Sequence, residues 1–344
     1  MKRIAVEEHF STPDYISYIR SREDYPKTGT VKGKGKKDLD VVWFSPDFYM
    51  PTCAEFGKKL VDVAEIRLRD MEENGIDMQV LSLSVPGPDA FDAPTGAEIA
   101  RKTNDVLYKI IKEYPEKFAG LAAVAPQDPA VAADELERAV NDLGMRGTKI
   151  NSNIGGEYLD DKKYWVLLER AEKLGVPIYI HPKAPSPDIL KPFLKYPALT
   201  GSMWGFSVDA GLHAMRLICS GVFDRYPGLK IILGHLGEAI PFWLWRIDNR
   251  WEEGEYALAP TTRDLMKKPS QYFNDNFYVT TSGNFWETAF MCTYAALGPD
   301  RIMFAVDYPF EPNKPAVEFM DAVPIPESDR EKIYHSNAEK VFSL

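Results

Sequence analysis

Short apolar runs rich in β-branched residues recur along the chain, and between them the apolar positions shift to the three-and-four spacing of a helix face. The first run, Ile4-Ala5-Val6, leads straight into Glu7-Glu8-His9-Phe10; later runs cover 79–84, 118–124, 147–151, 177–181, 230–235, 277–281 and 301–307. Helical spacing predicts helices over 59–74, 96–113, 130–143, 163–174 and 207–223, with Gly75, Gly144 and Gly175 standing where helices commonly close. Strands alternating with helices imply a parallel sheet, and near-continuous apolar strands imply burial on both faces. Eight of them over this length make an α/β fold, most economically a (β/α)8 TIM barrel forming a single domain over 1–344. A doubly wound open sheet is the alternative. To carry a nucleotide it would need a glycine-rich phosphate loop after an early strand, and the sequence has none.

One stretch departs from this rhythm. The run 29–37, Gly-Thr-Val-Lys-Gly-Lys-Gly-Lys-Lys, reads as a mobile loop tip, and the aromatic cluster Trp43-Phe44-Ser45-Pro46-Asp47-Phe48-Tyr49 follows it. Such rings pack as local core or close over a flat ligand. A Lys/Gly loop leading into them fits a lid, so an insertion over about 20–58 is expected after the first strand.

Composition narrows the class. The chain has 344 residues, 45% hydrophobic and 27% charged, as in an ordinary soluble globular protein. No stretch approaches the ~18 uninterrupted apolar residues of a membrane span. Met1-Lys2-Arg3 passes directly into the first strand, which predicts no signal peptide. Cys53, Cys219 and Cys292 are an odd number without CxxC spacing, the pattern of reduced thiols in a cytoplasmic protein. A net charge of −10 argues against nucleic acid and anionic membrane as partners. It leaves room for a small anionic substrate, because a metal and one arginine reverse the potential inside a pocket.

Candidate chemistry gathers at the strand ends. On a strand, Glu7 and His9 share one face while Glu8 and Phe10 point the other way. Taken alone, Glu7 and Glu8 read as the solvated end of an edge strand with a chance histidine beside them. The later strands overturn that reading. Asn151, His181, His235, Thr281, Ser282 and Asp307 fall at or just past strand C-termini, where barrel enzymes keep their chemistry. Closing a barrel sets Asp307 beside Glu7 and His9, with His181 reaching in from the far side. Two carboxylates and two imidazoles suit one Zn2+ or Mn2+ ion with open positions for substrate. His213, inside a helix, and His335, near the C-terminus, read as structural. So does Lys149, one pleat deeper than the lysine that bridges two metals in dinuclear hydrolases.

Several motifs then resemble one family. They are Glu-Glu-His-Phe at 7–10, Ile-His-Pro at 180–182, Gly-His-Leu-Gly-Glu at 234–238, Thr-Thr-Ser-Gly-Asn-Phe at 280–285, Asp-Tyr-Pro-Phe-Glu at 307–311 and Asn-Ala-Glu-Lys-Val-Phe at 337–342. Together, nearly end to end, they look like the amidohydrolase-superfamily non-oxidative aryl-acid decarboxylases, the γ-resorcylate, 2,3-dihydroxybenzoate and 5-carboxyvanillate types. The resemblance implies metal ligands Glu7, His9, His181 and Asp307, a catalytic pair His235 and Glu238, and Asp307 as proton donor to the ring carbon. It also implies Arg246 near the substrate carboxylate, within one chain or across a subunit contact, and Asn151, Phe310 and Trp204 in the pocket. Glu-Glu-His-Phe leans toward the γ-resorcylate type, whereas Ala-Pro-Gln-Asp-Pro at 125–129 and Asn151-Ser152-Asn153 lean toward the carboxyvanillate type, so the aromatic acid stays open. The expected activity is reversible loss of CO2 from an ortho-hydroxybenzoate, with one divalent ion and no organic cofactor. A lactonase-type metallo-hydrolase on the same barrel and a metal-stabilised binding protein are the rival readings. Trp243, Trp245 and Trp251 in the helix after Glu238 suggest a subunit contact, hence a homodimer or homotetramer.

Overall fold

The computed structural model describes residues 1–33, 35, 38–253 and 265–344. Lys34, Lys36 and Lys37 of the expected loop tip lie outside the described residues. Its strands are β1 (Ile4–Phe10), β2 (Lys27–Lys32), β3 (Asp38–Ser45), β4 (Phe48–Pro51), β5 (Met78–Leu83), β6 (Phe118–Gly120), β7 (Ala122–Ala123), β8 (Thr148–Asn151), β9 (Ile178–His181), β10 (Ile231–Leu233), β11 (Phe277–Thr280) and β12 (Ile302–Met303). Parallel pairing gives one run β1-β5-β6 and another β12-β11-β10-β9-β8-β7. β6 and β7 flank Leu121, whose amide donates to Leu81 O at 2.8 Å. At the other edge Val6 N donates to Phe304 O at 3.1 Å, Asp307 N to Glu7 O at 3.0 Å and His9 N to Tyr308 O at 2.7 Å. The alternating strands and helices anticipated from the sequence are therefore present, in an α/β arrangement with parallel strands.

Two apolar layers hold this frame. Ile4, Val6, Val80, Leu121, Tyr179, Ile232 and Met303 form an inner cluster, joined by Val341 and Phe342 of the last helix, Asn337–Phe342. Leu81, Ile150, Ile178, Leu233 and Val279 belong to a larger cluster shared with the surrounding helices. Neighbouring strand residues thus divide between two buried layers, which is why the strands read as continuously apolar.

The structure corrects several boundaries. The expected helix 59–74 is two helices, Ala54–Val61 and Ile66–Glu73, because Asp62 leaves the helical region and its Oδ1 takes the amides of Glu65 (2.8 Å) and Ile66 (3.0 Å). The expected helix 207–223 runs Gly205–Cys219 and restarts at Val222–Arg225, broken where Gly221 adopts φ 75°. Of the expected loop tip, 29–32 belong to β2, and 27–51 holds an antiparallel sheet, β2-β3-β4, with the aromatic cluster on β3 and β4. Trp43 lies 4.7 Å from Tyr49 and Phe44 5.6 Å from Phe48 between ring centroids. Phe48 in turn meets Phe206 at 6.0 Å and ties this sheet to the helix Gly205–Cys219.

Candidate metal centre and active site

The centre begins with an irregularity in β1. Ala5 pairs with Gln79 and Glu8 with Leu81, so three steps along β1 match two along β5. This bulge changes the parity of the strand. Val6 packs in the inner cluster, yet Glu7 and His9 also face inward, where strict alternation from Ile4 and Val6 would have aimed Glu8. Glu7 Oε2 accepts from Tyr179 Oη, from Ser282 Oγ and from Thr280 Oγ1 (3.1 Å). Its other oxygen, Oε1, has no hydrogen-bond partner among the described residues.

Around that oxygen the other ligands assemble. His181 Nε2 lies 3.6 Å from Glu7 Oε1, and the His9 and His181 rings meet edge to face at 4.5 Å. His9 Nε2 stands 2.9 Å from Asp307 Oδ1, yet both atoms are buried without a hydrogen-bond partner among the described residues. Atoms that close but not mutually aligned point to a shared third party. One ligand atom from each of Glu7, His9, His181 and Asp307 falls within 4.8 Å of the others. The donor set fits a divalent cation: two carboxylates, two imidazoles, and on each side chain one buried polar atom that nothing among the described residues satisfies.

The electrostatics agree. Burial pushes the His9 imidazole down to about 4, against the opposing pull of Asp307, and pushes His181 well below its ordinary value. Both rings are neutral near pH 7, as ligands must be. Burial raises the Glu7 carboxyl, partly offset by His235. For Asp307 burial acts upward, but His235 and His9 outweigh it and hold the carboxyl below the usual range. His235 shows the opposite balance: burial would lower it, whereas Glu238, Glu7 and Asp307 raise it well above an ordinary histidine. His235 Nδ1 is 2.8 Å from Glu238 Oε1, and its Nε2 is 3.8 Å from Asp307 Oδ2.

The backbone that presents His235 is unusual. His235, Leu236, Gly237, Glu238 and Ala239 all have positive φ, from 51° to 81°, so a left-handed turn follows β10 directly. Asp307 also sits at φ 80°. Left-handed geometry costs a non-glycine residue roughly 1–2 kcal/mol, and such strain concentrates at functional sites. Here it folds Glu238 back under His235.

Other anticipated residues divide. Phe310 meets His9 edge to face at 5.3 Å. Asn151 is buried, with Nδ2 donating to Asp89 Oδ1 at 2.6 Å and Oδ1 unpartnered. Trp204 is half exposed. Arg246 is exposed and lines a groove of about 720 Å³ with Trp243, away from the four ligand side chains. Lys149 is buried, donates to Leu83 O and is brought down to about 8 by burial. His213 is structural: its ring bridges Ser152 O (2.8 Å) and the Leu159 amide (3.1 Å). Sequence reading placed Ser282 at a strand end but missed Tyr179 and Thr280, which hold Glu7 with it, and Glu8, which is fully buried rather than solvated. A polar residue in each otherwise apolar strand was the available signal.

Comparison with known proteins follows the same line. The sequence profile of the family described as Amidohydrolase matches residues 58–344. The chain is 36% identical over 349 residues to γ-resorcylate decarboxylase of Polaromonas sp., covering 99% of this chain and 98% of that protein. Among solved structures it is similar to 5-carboxyvanillate decarboxylase from Sphingomonas paucimobilis, with TM-score 0.89 and 38% identity over 100% of this chain and 99% of that one. It is also similar to a dihydroxybenzoic acid decarboxylase from Polaromonas sp. with bound manganese and the inhibitor 2-nitroresorcinol, with TM-score 0.83 and 35% identity over 100% and 97%.

Proposed function

The chain belongs to the amidohydrolase family, and from that premise we propose that it is a metal-dependent, non-oxidative decarboxylase of ortho-hydroxybenzoate-type acids. The observation that carries the reading is the convergence of four ligand side chains, each with a buried atom unsatisfied among the described residues, on a point that Asp307 shares with the His235–Glu238 pair. We read the two parallel runs as one (β/α)8 barrel, in a single domain over 1–344, with β2-β3-β4 as its lid. The three described cysteines are free, in keeping with a cytoplasmic protein.

Glu7, His9, His181 and Asp307 would hold the ion, manganese or zinc, which when bound anchors the substrate carboxylate and ortho-hydroxyl and supplies positive charge for the phenolate. The rest of the chemistry belongs to side chains. His235, kept protonated by Glu238, stores the proton. Asp307, held anionic between His9 and His235, receives it at Oδ2 and passes it to the ring carbon that bears the carboxylate. The carbon–carbon bond then breaks, its electron pair restores the aromatic ring, and CO2 leaves. One proton enters and one CO2 departs, so no water or redox cofactor is consumed and the reaction is reversible. Asn151 and Phe310 would bound the ring on either side.

Arg246 enters this scheme through a second copy. Phe242, Trp243 and Trp245 are exposed on the same helix, Ile240–Glu252, and we assign this face to a homodimer or homotetramer contact that would carry Arg246 toward a neighbouring pocket.

The test follows one proton. Turnover of 2,6-dihydroxybenzoate and of 5-carboxyvanillate in D2O should place one deuterium on the product ring at the former carboxylate position. Solvent 18O in the product, with no CO2 and no ring deuterium, would make the protein a hydrolase instead.

A further inference from the structure

We infer that a cavity beside the metal centre receives an apolar ring substituent, so that the preferred substrate is an ortho-hydroxybenzoate carrying an alkyl group. The inference rests on the decarboxylase reading and narrows its substrate class.

The cavity encloses about 510 Å³ between the helix Pro13–Ser21 and the sheet β2-β3-β4. It adjoins the site through one shared side chain. Phe310 lines it and also meets His9 at 5.3 Å, while Phe56 closes on the other side of Phe310 at 5.0 Å. Ser11 and Ser84 line it too. They lie two residues beyond His9 and Ser82, which pair across β1 and β5, and Ser84 N continues that pairing by donating to Phe10 O at 2.8 Å. Residues two apart on a strand share a face, so the cavity opens one layer above the imidazole that faces the metal position.

Its lining states what it takes. Tyr15 and Ile19 on the helix side face Val42, Phe44 and Met50 on the sheet side. The one hydroxyl among these, Tyr15 Oη, already donates to Pro86 O. The charged residues in the lining, Arg20 and Asp40, are both exposed, which sets them at the rim rather than in the depth. A ring hydroxyl occupies no more than about one water's share of volume, ~30 Å³, and would leave this space empty. An alkyl chain fills it and meets carbon. A carboxylate driven into it would lose its hydration and find no buried cation, since the buried polar side chains of its lining are the hydroxyls of Ser11 and Ser84.

The test is a homologous series on the metal-loaded full chain: 2-hydroxybenzoates bearing methyl, ethyl or propyl at each free ring position, beside the unsubstituted acid. At one position kcat/KM should climb about fourfold per methylene, the factor that burying a CH2 group provides. Val42→Phe, which narrows the cavity from the sheet side, should cut the propyl-to-unsubstituted ratio at least ~10-fold. In parallel, calorimetry of the unaltered chain with alkylphenols should show affinity rising with chain length and a negative heat-capacity change. Turnover that is flat or falling along the series at every position overturns the proposal, as does preference for a carboxylate substituent. Absence of CO2 from every acid, with alkylphenol affinity still climbing, sinks the decarboxylase reading and supports the apolar site.

Discussion

Glu8 accepts the amides of Val306 at 2.9 Å and Tyr308 at 3.3 Å, and so brackets Asp307 between two backbone bonds. Gln79 Nε2 reaches the same carboxylate at 3.3 Å, and buried Arg67 donates to Gln79 Oε1 at 3.0 Å and to His9 O. One side chain on β1 therefore fixes the backbone of a ligand on the far edge, which sits at a left-handed φ it would not choose freely. Glu8→Ala orphans both amides, at about 1–3 kcal/mol each. The expected outcome is a lower Tm together with weaker metal binding, checked by thermal melts and equilibrium dialysis; a Tm loss with unchanged metal affinity would leave Glu8 purely structural. His235 makes the complementary case. It touches Asp307 and Glu238 but is not among the four ligand side chains, so His235→Ala should lower turnover by ~10²-fold or more while elemental analysis still finds the ion. Loss of the ion would make it a ligand.

Among the elements, what was legible in the sequence was what local chemistry decides. The helices Ala93–Glu113, Pro129–Asn141 and Trp165–Leu174 lie close to the expected places; Asp92 and Asp128 cap the first two, and Gly175, the expected closing residue, ends the third at φ 71°. The illegible features depend on distant partners. The bulge in β1 is set by pairing with β5, some seventy residues on, and the apolar letters around it do not change. The sheet β2-β3-β4 hides behind lysines and glycines because its stability comes from cross-strand rings and from Phe206, not from alternation. The left-handed turn 235–239 is hidden more deeply still, since only Gly237 of its five residues favours that conformation. Gly237 therefore carries a testable burden. A Cβ there would meet Val279 Cγ1 at 3.0 Å and Pro241 Cδ at 3.1 Å, besides the φ of 81°. Gly237→Ala should destabilise by at least ~1–2 kcal/mol and reduce turnover through His235 and Glu238, read as a shifted Tm and a fall in kcat larger than any change in KM.

At the scale of the whole molecule, the fold keeps three imidazoles neutral in its interior, and that dictates how it responds to acid. His213 is brought down to about 3 by burial, opposed by its bond to Ser152 O; His9 is brought down to about 4, and His181 also lies well below the ordinary value. In the unfolded chain each titrates near ~6.5. Above that pH neither state binds the proton, so the stability these groups contribute is constant. As pH falls below about 6.5 the unfolded chain takes up protons that the folded chain refuses, and stability drops until the folded-state values are reached, about 4 for His9 and about 3 for His213. His235 has the opposite sign: its raised value contributes stability below about 6.5 that is lost only as pH rises through the folded value. Glu7 and Glu8, whose carboxyls burial raises, share the sign of His235, so the three imidazoles set a net loss toward acid where the ion holds Glu7 ionised, as in the metal-loaded chain. A bound ion steepens the effect, because protons compete for His9 and His181 and the ion stabilises only the folded chain. Melting the metal-loaded protein from pH 8 to pH 5 should show a flat Tm down to about pH 6.5 and a decline below it. Removing the ion with a chelator should lower Tm at pH 8. His213 lies outside the metal site, so His213→Gln should make the acid decline of the chelator-treated protein shallower while leaving the difference between loaded and stripped protein at pH 8 in place. An acid decline equally steep with and without His213 would show that its protonation is not linked to unfolding.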